Sequence, residues 1–236
     1  MKILRIKTNS KNYNIYIGYN IINKIEKILL KEKLSFEKSL IIYDKKVPKL
    51  FIRRINSKIK SKKKLVYSFN ASEKNKNINS VYSILNKLYE SNFSRNDAIL
   101  CIGGGITGDV AGFAASVYKR GLKFINIPST LLSQVDSSIG GKTGVNNKYG
   151  KNLIGSFYQP DIVISDIKLL ETLPKREIIC GYAEILKHAI INDKIFFNFI
   201  KKNTKNILSL KEKVLIQSIN KSCKIKLSFT EKDFKE

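Results

Sequence analysis

The sequence is short of cysteine, of histidine, of acid and of long apolar runs, and each shortage excludes something. Cys101, Cys180 and Cys223 stand far apart with no CxxC pair. That excludes a sequence-local zinc knuckle and gives no disulfide framework. A reduced, cytosolic compartment is the expectation. No apolar run reaches the roughly 18 residues a membrane span needs. Residues 1–7, MKILRIK, alternate charge with apolar side chains where a signal peptide would carry an apolar core. No membrane partner is expected. His188 is the only histidine.

The acid deficit leaves a large basic excess. Lys and Arg number 44 against 19 Asp and Glu, a formal charge of +25 over 236 residues. Lysine supplies 38 of the 44, and with 36 isoleucines and 22 asparagines it points to A/T-rich codons. Drift of surface positions toward lysine explains this better than nucleic-acid binding, which clusters arginine with aromatics on one face. Here lysine is spread through the chain, so no nucleic-acid partner is expected. The positive field still attracts small anions.

Residues 2–8 and 12–18 alternate apolar with polar around Asn9-Ser10-Lys11, a β-hairpin pattern. Residues 20–34, about 46–59 and 78–91 carry apolar positions at helical spacing. Between them, Ser39-Leu40-Ile41-Ile42-Tyr43 is a continuous apolar run ending at Asp44, the mark of a strand buried on both faces. Strands are expected at 64–69, 97–102 and 122–127, with a small-residue helix at 108–119. This alternation predicts a mainly parallel α/β sheet with helices on both faces. After about residue 171, segments 174–191, 193–203 and 209–228 all read as helices. Two units are expected: an α/β unit over residues 1–170 and a helical unit over 171–236.

Gly103-Gly104-Gly105-Ile106-Thr107-Gly108 fits G-x-G-x-x-G between a strand and a helix. That context suits a dinucleotide pyrophosphate on a helix N-terminus, and it also suits tight packing alone. Asp44 ends an earlier strand and fits either a ribose contact or a helix cap. Gly140-Gly141-Lys142-Thr143 imitates a phosphate-binding loop, but Asp136 stands where that loop requires glycine. Residues 130–151 nonetheless gather Asp136, Lys142, Asn146 and Lys151 among glycines, a set suited to phosphate and carboxylate groups. Glu184 and His188, spaced i and i+4, share a helix face. A catalytic zinc wants three protein ligands, so His188 reads as a packed or surface histidine.

Gly103–Asp109, Tyr118–Gly121, Pro128–Thr143, Gly150–Pro160 and Ala183–Lys187 closely resemble the 3-dehydroquinate synthase family, in order along the chain. The resemblance implies a shikimate-pathway cyclase that converts 3-deoxy-arabino-heptulosonate 7-phosphate to 3-dehydroquinate and phosphate, using NAD and divalent zinc or cobalt. It implies a Rossmann-like NAD-binding domain followed by a helical domain, and a homodimer. Sister cyclases making inosose or valiolone products remain open, as does a non-catalytic remnant.

By the same resemblance, Asp44 contacts the adenosine ribose, and Glu73 and Lys76 reach the cofactor from a loop. Gly104, Gly105 and Asp109 form the pyrophosphate turn. Ser129 and Thr130 match a Thr-Thr pair, and Lys142, Lys151 and Thr172 match further contacts. Asp136, Asn152, Lys142 and Lys187 match substrate positions, and Arg120 a phosphate-binding arginine given across the dimer interface. Glu184 matches a metal ligand whose two partner histidines would lie beyond residue 236. The expectation is therefore a fragment or truncated copy, with Glu184 isolated, without specific zinc or cyclase activity, and with apolar faces of 193–203 and 209–228 uncovered.

Overall fold

The computed structural model describes residues 1–8 and 10–230. Asn9, in the expected hairpin turn, and the closing Lys232–Glu236 stretch lie outside the described residues. Seven strands form one sheet: β1 (Lys2–Ile6), β2 (Tyr13–Gly18), β3 (Lys38–Asp44), β4 (Lys63–Phe69), β5 (Ala98–Gly103), β6 (Lys123–Pro128) and β9 (Ile162–Asp166), in the order β1-β2-β9-β6-β5-β3-β4. Only β1 and β2 pair antiparallel, as the alternating pattern predicts; every other pairing in this sheet is parallel. β7 (Lys142–Asn147) and β8 (Gly150–Phe157) make a separate antiparallel hairpin.

The central strands are continuous apolar runs because both faces are covered. β5 is buried at all six positions. On one face α1 (Ile25–Lys31) and α2 (Lys49–Lys58) pack against Ile41, Leu100, Ile102 and Ile125. On the other, α3 (Ile78–Glu90) and α4 (Gly105–Val117) pack against Leu40, Ile42, Ile99 and Cys101. Burying each such side chain contributes roughly 1.5–3 kcal/mol. The expected helix at 20–34 is shorter: a 3-10 turn over Ile21–Lys24 leads into α1, and the chain leaves it through Lys33 at φ 54°.

After β9 the remaining described elements are helical: a 3-10 segment (Ile167–Thr172), α5 (Lys175–Asn192), α6 (Lys194–Leu208) and α7 (Glu212–Thr230). They pack with each other and with β1 and β2 through Ile185, Phe196, Ile200, Leu215, Ile219 and Cys223. The expectation of uncovered faces on α6 and α7 is thus corrected for most of their length. What stays exposed is the α5–α6 junction, where Ile195 at the start of α6 is 84% exposed beside Ile190 and Ile191 of α5 at 60–64%. No described helix is long and apolar enough to cross a membrane.

Strand order also fixes where a site forms. From β3 the chain moves outward to β4, whereas from β5 it moves the opposite way to β6. Such a switch point opens a crevice at the carboxyl ends of the two strands.

Candidate active site

That crevice is walled by the glycine turn. β5 ends at Gly103, and α4 starts at Gly105 with no side chain capping it at Gly104. Its first N–H groups are therefore an anion-binding end. A Cβ at Gly104 would stand 3.2 Å from Thr130 Cγ2, and one at Gly105 would stand 3.0 Å from Ser137 Oγ. Ser129 N–H donates to Gly103 C=O at 2.8 Å, and Thr130 Oγ1 donates to Ser133 Oγ at 2.8 Å. β3 runs beside β5 with Tyr43 opposite Ile102, which puts Asp44 next to Gly103. Asp44 is not the cap of α2, whose N-cap is Pro48. Its Oδ1 accepts from Lys46 N–H at 3.1 Å.

Across the turn lies a buried charge cluster. Lys76 is 6% exposed, and its ammonium contacts both the Asp109 carboxylate and Asn152 Oδ1. Burial raises the Asp109 pKa, against the downward pull of Lys76. Asn152 has a left-handed backbone, φ 59°, held by its N–H donating to Asn146 Oδ1 at 2.9 Å. Asn146 Nδ2 in turn donates to Glu73 Oε1 at 2.9 Å, and this bond lowers the Glu73 pKa. Lys151 is 3.5 Å from the same oxygen. The 73–77 loop is thereby stitched to β7 and β8. The second half of segment 130–151 lies in this strand pair.

A cleft of about 500 Å³ opens between that pair and the helices, lined by Asp109, Asp136, Lys142, Asn152, Phe157 and Lys226 among others. Asp136 sits in a π-helical turn (Ser133–Ser137), closed by Ser138 N–H donating to Ser133 C=O at 3.1 Å. α5 reaches this turn closely because Gly181 has no side chain: a Cβ there would stand 2.5 Å from Leu131 Cβ. Asp136, Glu184 and His188 consequently have ligand atoms within 4.8 Å of one another. The expectation of an isolated Glu184 is corrected. Glu184 Oε1 lies against the Lys187 ammonium and 3.2 Å from His188 Nε2. Neither contact has hydrogen-bond geometry, so this buried oxygen is unsatisfied. His188 is buried, as a packed histidine should be, with Nδ1 2.7 Å from Ser222 Oγ. Burial lowers its pKa.

Lys226, on α7, is the residue that sequence reasoning missed. Its Nζ is 2.8 Å from Asp136 Oδ1. Two expected site residues lie elsewhere. Arg120 is at the far end of α4, whose 13 residues span about 20 Å. It sits in a strained turn in which Lys119, Arg120 and Gly121 all have positive φ. Among the described residues Thr172 bonds within its own turn, Oγ1 donating to Leu169 C=O at 3.3 Å.

Residues 66–180 match the model of the 3-dehydroquinate synthase N-terminal domain, and residues 181–236 match the model of its C-terminal domain. The chain is 55% identical to the 3-dehydroquinate synthase of Pelagibacter ubique, over 99% of the chain and 63% of that protein. The chain belongs to the 3-dehydroquinate synthase family. It spans under two thirds of the length of that relative. Among solved structures it is similar to a 2-deoxy-scyllo-inosose synthase complexed with carbaglucose-6-phosphate, NAD+ and Co2+, at TM-score 0.87 and 26% identity over 99% of this chain and 64% of that one. A 2-epi-5-epi-valiolone synthase from Streptomyces hygroscopicus, at TM-score 0.86 and 24% identity over 98% and 65%, shares the fold. This chain and these two cyclases thus share one fold.

Proposed function

We propose that the chain acts as a 3-dehydroquinate synthase, a phosphorus–oxygen lyase that forms 3-dehydroquinate and phosphate from 3-deoxy-arabino-heptulosonate 7-phosphate. One observation carries this reading: an uncapped helix N-terminus with an acid at its rim stands beside a cleft lined by Asp136, Lys142, Asn152 and Lys226, with Glu184 next to Asp136. Residues 1–170 would form the cofactor unit, and the helices from 171 onward the metal and substrate unit.

The residues present fit both groups the family uses. The pyrophosphate of NAD would rest on Gly104, Gly105 and the N–H groups of α4, in space that a Cβ would crowd. Asp44 would accept from a ribose hydroxyl, with Glu73, Lys76, Ser129, Thr130 and Lys151 around the remainder. The unsatisfied oxygen of Glu184, with Asp136 beside it, suits a divalent cation such as zinc or cobalt. Bound NAD supplies a reversible hydride acceptor, and a bound ion supplies a Lewis acid for the substrate hydroxyl.

The chain's own side chains then fix the substrate. Lys142 and Lys226 would face its carboxylate, Asn152 a hydroxyl, and Lys187 the phosphate, holding the acidified C–H and the leaving group in one pose. Arg120 is too far from its own cleft, so it would reach a phosphate only from a second copy in a homodimer. The departing phosphate would carry off the proton, so no separate base is required.

The test has two arms. Asp44→Ala should weaken NAD binding by about 1–3 kcal/mol in calorimetry, as expected for a lost buried acceptor; an unchanged dissociation constant would remove Asp44 from the site. Phosphate release should be measured from the heptulosonate phosphate and from hexose and heptulose phosphates that lack a carboxylate. Turnover of the latter alone would place the chain with its sister cyclases.

A further inference from the structure

We infer that His188 is a positioning residue for Glu184, carrying its proton on Nε2, with Ser222 fixing that tautomer. The argument begins at the buried end. Ser222, on α7, is fully buried, and among the described residues the hydrogen-bond partner of its hydroxyl is His188 Nδ1, at 2.7 Å. A buried hydroxyl hydrogen without an acceptor is costly. Ser222 Oγ–H therefore donates to Nδ1, which must present its lone pair. The bond made by one imidazole nitrogen decides the state of the other, so the proton sits on Nε2.

Nε2 faces Glu184 Oε1 at 3.2 Å. Even off the hydrogen-bond axis, an Nε2 lone pair at that distance would be repelled by the carboxylate, whereas an N–H is attracted. The imidazole is wedged between α7 and the carboxylate and is 3% exposed, so it has little room to turn away. It holds Glu184 on the Asp136 side of α5 without using up the oxygen, which still lacks a hydrogen bond of proper geometry. Lys187 reaches the same oxygen from a more mobile position, its side chain being 52% exposed. The ring thus provides the rigid support and the lysine the adjustable one. Outer partners of this kind orient ligating groups and commonly change ion affinity 10–100-fold when removed. On this assignment, His188 is within ligand distance of the cluster and is not itself a ligand.

Because His188 is the only histidine, the tautomer can be read directly. Long-range proton–nitrogen correlation spectra of the histidine-labelled protein should show a protonated Nε2 and an unprotonated Nδ1. Ser222→Ala should mix the tautomers. A protonated Nδ1 in the unsubstituted protein overturns the proposal. A second arm rests on the reading of Glu184 as cation-facing and uses Co2+ alone, followed by visible absorption. His188→Gln, which can still present an N–H to Glu184, should keep the dissociation constant within about threefold, while His188→Ala should raise it at least tenfold. Equal losses in both variants, with a spectrum showing one nitrogen ligand fewer, would make His188 a ligand and overturn the proposal. If the unsubstituted protein takes up no Co2+, the cation reading of the cleft fails, and the tautomer spectrum still decides the role of His188.

Discussion

Two charged clusters face the same cleft and are built on opposite terms. Around Lys76, one cation sits between two acceptors, Asp109 and Asn152, and the group is closed. Around Glu184, three ligand-bearing side chains converge; Lys187 and Lys226 pair with the two carboxylates, but the buried Glu184 Oε1 is left without a hydrogen bond. The first cluster can be stable with nothing bound, since its charge is neutralised internally. The second keeps free coordinating capacity, which is what a site for an added cation needs. Burial alone does not separate them; satisfaction does.

Removing the closed cluster's cation should have the largest effect. Lys76→Met leaves Asp109 buried without its partner and should cost about 3–5 kcal/mol of unfolding free energy by denaturant titration. Sign and pH follow from Asp109. Its pKa is raised above 3.8 by burial, so the folded protein holds that proton more tightly than the unfolded chain. Its share of stability falls as pH climbs from about 3.8 through the raised value. Lys76→Met removes the main opposing pull and should carry that fall to higher pH. A loss below about 1 kcal/mol would mean that Asp109 does not depend on Lys76 for its charge balance.

Gly181→Ala tests how the open cluster is assembled. The added methyl meets Leu131 and the Leu132 backbone nitrogen at 2.5–2.7 Å. Moving α5 outward should cost about 1–3 kcal/mol in stability and should weaken Co2+ binding as well. Normal binding would show that Glu184 does not depend on this close approach. Glu184→Gln should change stability by less than about 1 kcal/mol, yet reduce Co2+ affinity by more than about 100-fold. Smallest of all, Lys187→Ala should fold normally, because its side chain is half exposed, and should lose turnover. If Lys187→Ala unfolds, or keeps its turnover, the substrate role is wrong.

The parallel sheet was readable because β3, β5 and β6 are covered on both faces: β3 and β5 carry continuous apolar runs, and β6 is interrupted only by the buried Asn126. β9 carried the same signal, with Ile162-Val163-Ile164 ending at Asp166 as β3 ends at Asp44, but five residues after a proline make a weak pattern. β7 and β8 could not be read from periodicity. Their sequences are rich in Gly and Asn, much of their surface is exposed, and pairing with each other holds them. In the site, the glycine turn and Asp44 were legible because local chain geometry creates them. The meeting of Asp136 with Glu184 was not, since it depends on a π turn and on a glycine in another helix. Lys226 carried no signal at all: one lysine among 38 is invisible until α7 folds against Asp136.

The π turn at Ser133–Ser137 also bears on how this segment tolerates changes in length. Such a turn is an α-helical turn holding one extra residue. Deleting a single residue such as Val135 would let an ordinary helical turn close, at little cost in backbone hydrogen bonding. Asp136 would then swing about 100° around the helix axis, away from Glu184 and Lys226. A one-residue deletion here would thus leave the backbone content to parse as a sound helix while erasing one wall of the cleft, whereas a deletion in the exposed turn at Lys148-Tyr149 would only shorten a hairpin tip.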